Sequence, residues 1–453
     1  MVQNMSQQRQ YIEFYLQLRD WDQVAAQFKV AVLPSPSVGE TREAVTVQYK
    51  PDDLAPYLKR LERRSIGQAG LHQLGELLAG MLLPVGEIRS LFEQALGQAG
   101  MDGGVRLRLL THEPQLAQLP WEYVYLPIYT KGTQDYRHFL TLNPQVSLVR
   151  HEPIPRQHPQ VEGRSPDKLN LLVAMANPQG DLNLATEQQN LTQLLEGFEV
   201  DGVTLDWQPM LNEATAESLR NALLKKPELF YFSGHGVFKQ EGYIQLSGVA
   251  GDEPYLMSAV ELALKLKQAG VRVAVFGTCE SAKRDGVSEW AGVAPTLVAE
   301  GVPVVVAMQY PVFDTHAIAF SQAFYTALAA GLSVDEAVTT GRLAMLGAGD
   351  GHLRHLSFAN DDRDADQPLA NVQWGVPVLY MRSADSVIFP RKGDKPSQTA
   401  EQMRKVIKQN VESIQDGSDF TGAVISHGAS GTIEITTNVK IIDKSKFVGA
   451  VIN

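Results

Sequence analysis

The amino-acid sequence predicts an α/β protein: a mostly parallel sheet with helices on both faces, preceded by a smaller α/β unit. Three observations point there. From Leu169 onward, apolar runs of strand length alternate with segments whose apolar residues recur at a period near 3.6, the pattern of a helix-covered parallel sheet. The first 150 or so residues read differently, as a separate unit of strands and helices. Between the two, "HEPIPRQHPQVEGRSPDK" (151–168) is rich in Pro and charge and follows neither period, as a linker does.

Taken in chain order, "KVAVL" (29–33) and "AVTVQY" (44–49) read as strands, residues from about 68 to 98 as helical, and "VRLRLL" (105–110) as a further strand. These make an N-terminal domain over residues 1–155. The second domain, 165–385, has five main strands: "LNLLVAMA" (169–176), "VTLDWQ" (203–208), "ELFYFSG" (228–234), "VRVAVFG" (271–277) and "VPVVVAMQ" (302–309). A sixth, "VPVLYM" (376–381), is expected near the sheet edge. The connections read as helices. "EQQNLTQLLEGF" follows the first strand and "ATAESLRNALLKK" the second; "MSAVELALKLKQAG" precedes the fourth, with Ser258 as N-cap and Gly270 as its stop. After the fifth come "DTHAIAFSQAFYTALAAG", with Asp314 as N-cap and Gly331 as stop, and "SVDEAVTTGRLAML". Residues 386–398, including "PRKGDKPSQ", form a linker, and 399–453 a tail: an amphipathic helix and a short repeat, "FTGAVIS" against "FVGAVIN", read as β segments. Two copies are too few for a solenoid.

Composition limits the function. A chain of 453 residues with 44% apolar content can bury real cores, and its formal charge of −11 argues against nucleic acid or an anionic membrane as partner. No run of eighteen apolar residues occurs, and the start "MVQNMSQQRQYIEF" lacks the basic and apolar halves of a signal peptide, so a soluble, cytoplasmic protein is expected. A single cysteine, Cys279, excludes a disulfide framework.

That cysteine stands where the fourth strand runs out, in "VAVFGTCESA" (273–282). In an open parallel sheet, ligands gather outside the carboxyl ends of strands, so residues following different strands can meet. The equivalent position after the third strand is His235, in "YFSGHGVF". Gly234 and Gly236 flank it and are expected to let the chain bend so that the ring projects from the sheet end. A neutral thiol is a weak nucleophile at neutral pH, and a neighbouring imidazole can take its proton and later return it to a leaving amine. The backbone N–H groups of Gly236 and Cys279 are then the natural oxyanion donors.

"ELFYFSGHG" and "VAVFGTCESA" together resemble the His-Gly and Cys blocks of caspase-like cysteine peptidases, and more specifically of the CHAT family, relatives of separase and caspases in clan CD. Two further blocks fit: "LAQLPWEYVYLP" (116–127) and "VVVAMQYPVFD" (304–314), the latter with Tyr310 where Trp is common. The resemblance covers roughly residues 105–382. It implies a caspase-like peptidase domain beside an inactive, similarly folded N-terminal domain, a protein substrate, and cleavage of specific targets in a bacterial stress or antiphage setting. It further implies that Asp314 lines the primary specificity pocket and favours Lys or Arg before the scissile bond, and that Glu280 and Ser281 form pocket wall; as residues alone, Asp314 reads equally as a helix cap.

Other features read more plainly. Trp121 and Glu122 point to packing between the two halves. His352 and His355 have zinc spacing but no further ligands nearby, so no metal is assigned, and no cofactor. "GAGDG" (347–351) follows a helix rather than a strand and reads as a turn; neither a P-loop nor a G-x-S-x-G is present. Lys283 and Arg284 read as a solvated loop, with self-cleavage there as the sharper alternative. A second function class stays open: a non-catalytic scaffold or switch, with the tail recruiting a regulatory protein.

Overall fold

The computed structural model describes residues 9–111, 113–127, 136–151, 167–182, 184–207, 209–239, 241–248, 253–277, 292–310, 312, 314–348, 372–383 and 386–390, together with the backbone of 423–427 and 433–437. The chain opens with β1 (Tyr11–Asp22), β2 (Gln27–Leu33) and β3 (Val45–Gln48), then α1 (Pro51–Glu62), α2 (Gln68–Leu82) and α3 (Glu87–Ala99). β4 (Gly104–Thr111), the short α4 (Pro114–Ala117) and β5 (Val146–His151) complete this half. There follow β6 (Lys168–Ala176), α5 (Leu184–Leu195), β7 (Glu199–Val200), β8 (Val203–Trp207), α6 (Ala216–Leu223) and β9 (Leu229–Gly234). A small antiparallel sheet of β10 (Gly236–Phe238), β11 (Gly242–Leu246) and β12 (Tyr255–Ser258) precedes α7 (Ala259–Ala269) and β13 (Val273–Gly277). The last elements are α8 (Val293–Ala299), β14 (Val304–Met308), α9 (Asp314–Ala329), α10 (Val334–Gly347), β15 (Pro377–Met381), and a separate hairpin of β16 (Ala423–His427) and β17 (Ile433–Thr437).

One twelve-stranded sheet runs through both sequence halves, in the order β3-β2-β1-β4-β5-β15-β14-β13-β9-β6-β8-β7. The four strands β14, β13, β9 and β6 are mutually parallel. Their side chains alternate between two cores. Val173, Tyr231, Val275 and Val306 face one side, with Leu191 of α5, Phe320 of α9 and Val338 of α10. Ala174, Phe232, Phe276 and Val305 face the other, with Leu219 of α6, Leu262 of α7 and Leu297 of α8. Being covered twice is why these strands read as unbroken apolar runs.

Local signals hold where they were strongest. Ser258 caps α7, its Oγ accepting from the Glu261 N–H at 3.1 Å, and Gly270 ends the helix at φ 89°. Ser333 and Glu336 form a reciprocal capping box on α10. Three expectations need correction. β15 is not near an edge: it pairs antiparallel with β14 and parallel with β5, because the N-terminal strands continue the sheet. β1, α1, β5 and the β10–β12 sheet were not expected, although Phe14, Leu16 and Leu18 of β1 are buried at the strict period of two. α9 begins at Asp314 itself, so that residue occupies the first turn rather than the preceding cap. Of the tail repeat, the first copy overlaps β16; the second copy and the amphipathic helix lie outside the described residues, as do "GAGDG" beyond Ala348, His352 and His355.

A buried polar network fastens the two halves. Arg106 of β4 donates to Asp335 of α10 through Nε at 3.0 Å and Nη2 at 2.7 Å, and to Ser386 Oγ at 2.6 Å. It also pairs with Glu13 of β1, which pairs in turn with Arg108, and Arg108 donates to the Met381 and Ser383 carbonyls at 3.0 and 2.7 Å. Burial alone would raise the Asp335 carboxyl; the Arg106 guanidinium outweighs it, and the carboxyl is held below its ordinary value. Breaking such a buried pair by removing one partner costs about 3–5 kcal/mol.

The N-terminal half also contains an acid-sensitive core residue. His72 is buried against Tyr125 and Phe139, ring centroids 4.7 and 5.7 Å away, and this burial, with His138 adjoining, pushes its imidazole down to about 4. The unfolded chain therefore takes up this proton first, near 6.5, and stability falls as pH drops from there toward 4, by about 3 kcal/mol in all. We expect urea unfolding of the wild type to show this loss between pH 6.5 and 4 and His72→Gln to flatten it; an unchanged slope would remove His72 from the account.

Candidate active site

The strand order changes direction at β6: the chain passes outward to β8 and then returns to place β9 on the other side of β6. The carboxyl ends of β6 and β9 therefore flank a topological switch point, where neighbouring loops part and leave a crevice. Asp181 lies five residues past the end of β6, and His235 follows β9 directly. Gly277 ends β13, next in order beyond β9, and Thr278 and Cys279 come immediately after it. Cys279, Glu280, Ser281, Lys283 and Arg284 lie outside the described residues, as does the side chain of Asp314.

His235 differs from the expectation in one respect. Its ring does not project from the sheet end but is wholly buried. Nε2 lies 2.7 Å from Oδ1 of Asp181, whose side chain is 45% exposed. A carboxylate only accepts, so Nε2 carries the hydrogen and a neutral ring keeps its lone pair on Nδ1. Nδ1 is buried and has no hydrogen-bond partner among the described residues. An imidazole thus held by one nitrogen offers the other as a base.

Gly234 and Gly277 are required by close approach, not by a bend. Gly234 does not have a positive φ; a Cβ there would lie 2.7 Å from the Ala176 carbonyl at the end of β6. A Cβ on Gly277 would lie 2.5 Å from the Tyr231 hydroxyl. That hydroxyl donates to Glu187 Oε1 at 2.5 Å, and Ser233 Oγ donates to Oε2 at 2.7 Å, so α5 is tied to β9 just before the histidine and beside the end of β13.

The loop after β9 is also fixed. The Gln245 N–H donates to the His235 carbonyl at 2.9 Å, making His235 and Gln245 the hydrogen-bonded pair of β10 and β11. The next pair, Gly236 with Ile244, is then of the open type, and the Gly236 N–H turns away from β11. Gln179 Nε2 donates to Gln245 Oε1 at 2.9 Å, and Asn177 brackets the turn by bonding both the N–H and the carbonyl of Leu182, so the Asp181 loop is braced against the same hairpin.

The two remaining blocks singled out in the sequence meet each other. Glu122, fully buried, accepts from Arg150 at Oε2 (2.7 Å) and Oε1 (3.2 Å); Arg150 also donates to the Leu119 carbonyl at 2.9 Å and to Gln309 Oε1 at 3.2 Å. Gln309 Nε2 donates to the Gln118 carbonyl at 2.6 Å. The segment around Trp121, itself wholly buried with its Nε1 on the Leu116 carbonyl, thereby holds the segment that leaves β14 toward Asp314. Asp181 and Glu187 were missed in the sequence. Asp181 was findable by the rule that found His235, as an acid in the turn after a neighbouring strand; Glu187 sits in a helical pattern that gives no such sign.

A family model described as the CHAT domain matches residues 72–370. No curated protein matches the chain. Among solved structures, the chain is similar to one in the Saccharomyces cerevisiae separase–securin complex, with 12% identity and a TM-score of 0.45 over 82% of this chain and 30% of that one. It is also similar to the Arg-specific cysteine proteinase gingipain R, with 11% identity and a TM-score of 0.37 over 74% of this chain and 76% of that one. The chain spans less than a third of the separase-complex chain it matches.

The Asp181 contact has a measurable consequence. Asp181→Ala leaves the buried His235 ring without its orienting acceptor, and we expect iodoacetamide alkylation of Cys279 near neutral pH to slow about tenfold, a modest factor for an orienting carboxylate because this one is half-exposed and screened. A rate equal to wild type would show that Asp181 does not set the histidine.

Proposed function

Since this chain belongs to the CHAT family, whose model matches it over residues 72–370, we propose that it is a cysteine endopeptidase cleaving specific protein targets with His235 and Cys279. The single observation that carries the reading is the His235 ring: buried, fastened at Nε2 by Asp181, with Nδ1 unpartnered among the described residues at the sheet's switch point. An orphaned buried acceptor costs about 1–3 kcal/mol, and a scaffold would gain by losing it.

In the proposed cycle His235 Nδ1 takes the Cys279 Sγ proton, and the thiolate attacks the scissile carbonyl carbon. The N–H groups of Gly236 and Cys279 receive the developing oxyanion, each such donor contributing about 3 kcal/mol to the transition state. The imidazolium then gives its proton to the departing amine nitrogen as the C–N bond breaks, leaving an acyl-enzyme. Water, deprotonated by the same nitrogen, attacks the thioester carbon; the C–S bond breaks, the acid product leaves and the thiol is restored. Asp314, in the first turn of α9 beyond the clamped Gln309 segment, supplies negative charge for a Lys or Arg side chain before the scissile bond. Glu280 contributes pocket wall, Lys283 and Arg284 offer a basic self-cleavage site, and the tail recruits a protein partner. The bacterial stress or antiphage setting, and a cytoplasmic location, rest on the family resemblance and the sequence; among the described residues no helix is long and apolar enough to cross a membrane.

The test is labelling by a peptidyl-arginine chloromethyl ketone, read by intact mass. We expect one adduct on wild type, none on Cys279→Ala, and a rate on His235→Ala lower by about a hundredfold or more, the ordinary contribution of a general base. Equal labelling of wild type and His235→Ala would contradict the assignment and return the protein to the scaffold reading.

A further inference from the structure

Helix α1 gathers positive charge at one end and on one side. Leu54 and Leu61 are buried and Tyr57 and Leu58 half-buried, whereas Lys59 and Arg60 of the last turn and Arg63 at the cap lie on the opposite, exposed face. None of these three cations is in an ion pair among the described residues. The carboxylates of the same helix stand apart from them: Asp52 and Asp53 are in the first turn, about 10 Å or more along the axis, and Glu62 is half-buried on the shoulder of the packed face. The helix dipole favours cations at this end and leaves their charge turned to solvent. In a chain of formal charge −11, such a cluster is an exception to the surrounding field.

This end of α1 stands beside the catalytic end of the sheet. The Tyr57 hydroxyl donates to Gln73 Oε1 at 2.9 Å and joins α1 to α2, and the Gly75 carbonyl of α2 accepts the Tyr125 N–H at 3.0 Å. The segment around Trp121 in turn holds Gln309, which is followed by Tyr310. Burial raises the Tyr310 phenol above its ordinary value, and against Arg150 the Glu122 and Glu62 carboxylates raise it further, so Glu62 at the end of α1 adjoins Tyr310. Phe276 and Ala307 are partners on the parallel strands β13 and β14, and Cys279 and Tyr310 each come three residues beyond that pair.

We propose that Lys59, Arg60 and Arg63 form a docking surface for an acidic stretch of the protein substrate, outside the part of the substrate that enters the catalytic crevice. The inference rests on the peptidase reading and gives the N-terminal half a direct contact with the substrate. Charge complementarity selects the partner: three unpaired cations within little more than one helical turn match a short run of aspartate or glutamate. Nucleic acid, which needs many cations along its length, is a poorer match to one turn of helix in an acidic chain. Exposed pairs are individually weak, so this surface acts on how readily a substrate is held and not on the chemistry at the thiol.

The experiment uses the full chain and fluorogenic peptides that share one cleaved sequence, with arginine before the scissile bond, and carry on either flank a short run of glutamate, glutamine or lysine. We expect wild type to show a kcat/KM about tenfold higher for the glutamate run than for the glutamine run, through KM, with the difference lost at high salt. Lys59→Glu, Arg60→Glu and Arg63→Glu together should reverse the order and favour the lysine run, which a merely structural defect would not do. A glutamate preference that survives the three substitutions, or none in wild type, would overturn the docking surface. Fluorescence anisotropy of the glutamate-run peptide on Cys279→Ala measures docking without turnover. A single-stranded oligonucleotide that binds more tightly than this peptide and is released by the same three substitutions would overturn the choice of an acidic peptide. No cleavage of any peptide by wild type, with the anisotropy signal intact, would overturn the peptidase reading and with it the assignment of this surface to a substrate, so the two failures are told apart.

Discussion

The constraint on which the molecule depends is that β14, β13, β9 and β6 are buried on both faces. A strand in that position has no surface on which to do chemistry. Val173, Tyr231, Val275 and Val306 belong to one core and Ala174, Phe232, Phe276 and Val305 to the other, so every functional group must stand at a strand end. At the carboxyl side the connections diverge between β6 and β9. The Asp181–His235 pair occupies that place, and the chain leaves β13 for Cys279 one strand further along.

The same constraint explains why so many polar clamps accompany the site. Loops at a switch point are not held by the sheet, so each is fastened separately. Gln179 and Gln245 tie the β6 loop to the hairpin after His235, and Glu187 ties α5 to β9. Arg150 and Glu122 fasten Gln309 from the N-terminal half. Farther away, Arg106, Glu13 and Asp335 join β4 to α10. Buried ion pairs add little net stability, since desolvation offsets most of their attraction, but they strongly penalise any geometry that separates them. A continuous sheet with such clamps makes the N-terminal half a fixed support for the segment that carries Asp314.

The sequence made the parallel core legible because a doubly covered strand is mostly apolar: "VAVFG" and "VVVAM" admit few other readings. Helix ends with a hydroxyl cap or a stopping glycine, as at Ser258 and Gly270, were equally clear. β15 was misplaced because a six-residue apolar run says nothing about what lies on its far side; that information is in β5, more than two hundred residues earlier. His235 was legible by rule, but its burial was not. Glycines on either side suggested an open turn, whereas Gly234 is small so that Ala176 of β6 can approach. Glu187 was illegible for a related reason. Within "TEQQNLTQLL" it resembles any exposed helical glutamate, and only the tertiary arrangement sets Tyr231 and Ser233 against it.

The central claim is that a sulfur and an imidazole leave neighbouring strand ends to share a proton at the switch point. A crystal structure of the full chain with a peptidyl aldehyde bound tests it most directly. The account predicts a hemithioacetal on Cys279, with Sγ within about 4 Å of His235 Nδ1 and the former aldehyde oxygen facing the Gly236 N–H. A structure in which Nδ1 instead meets only hydrocarbon, with Cys279 on the far side of β13, would contradict it.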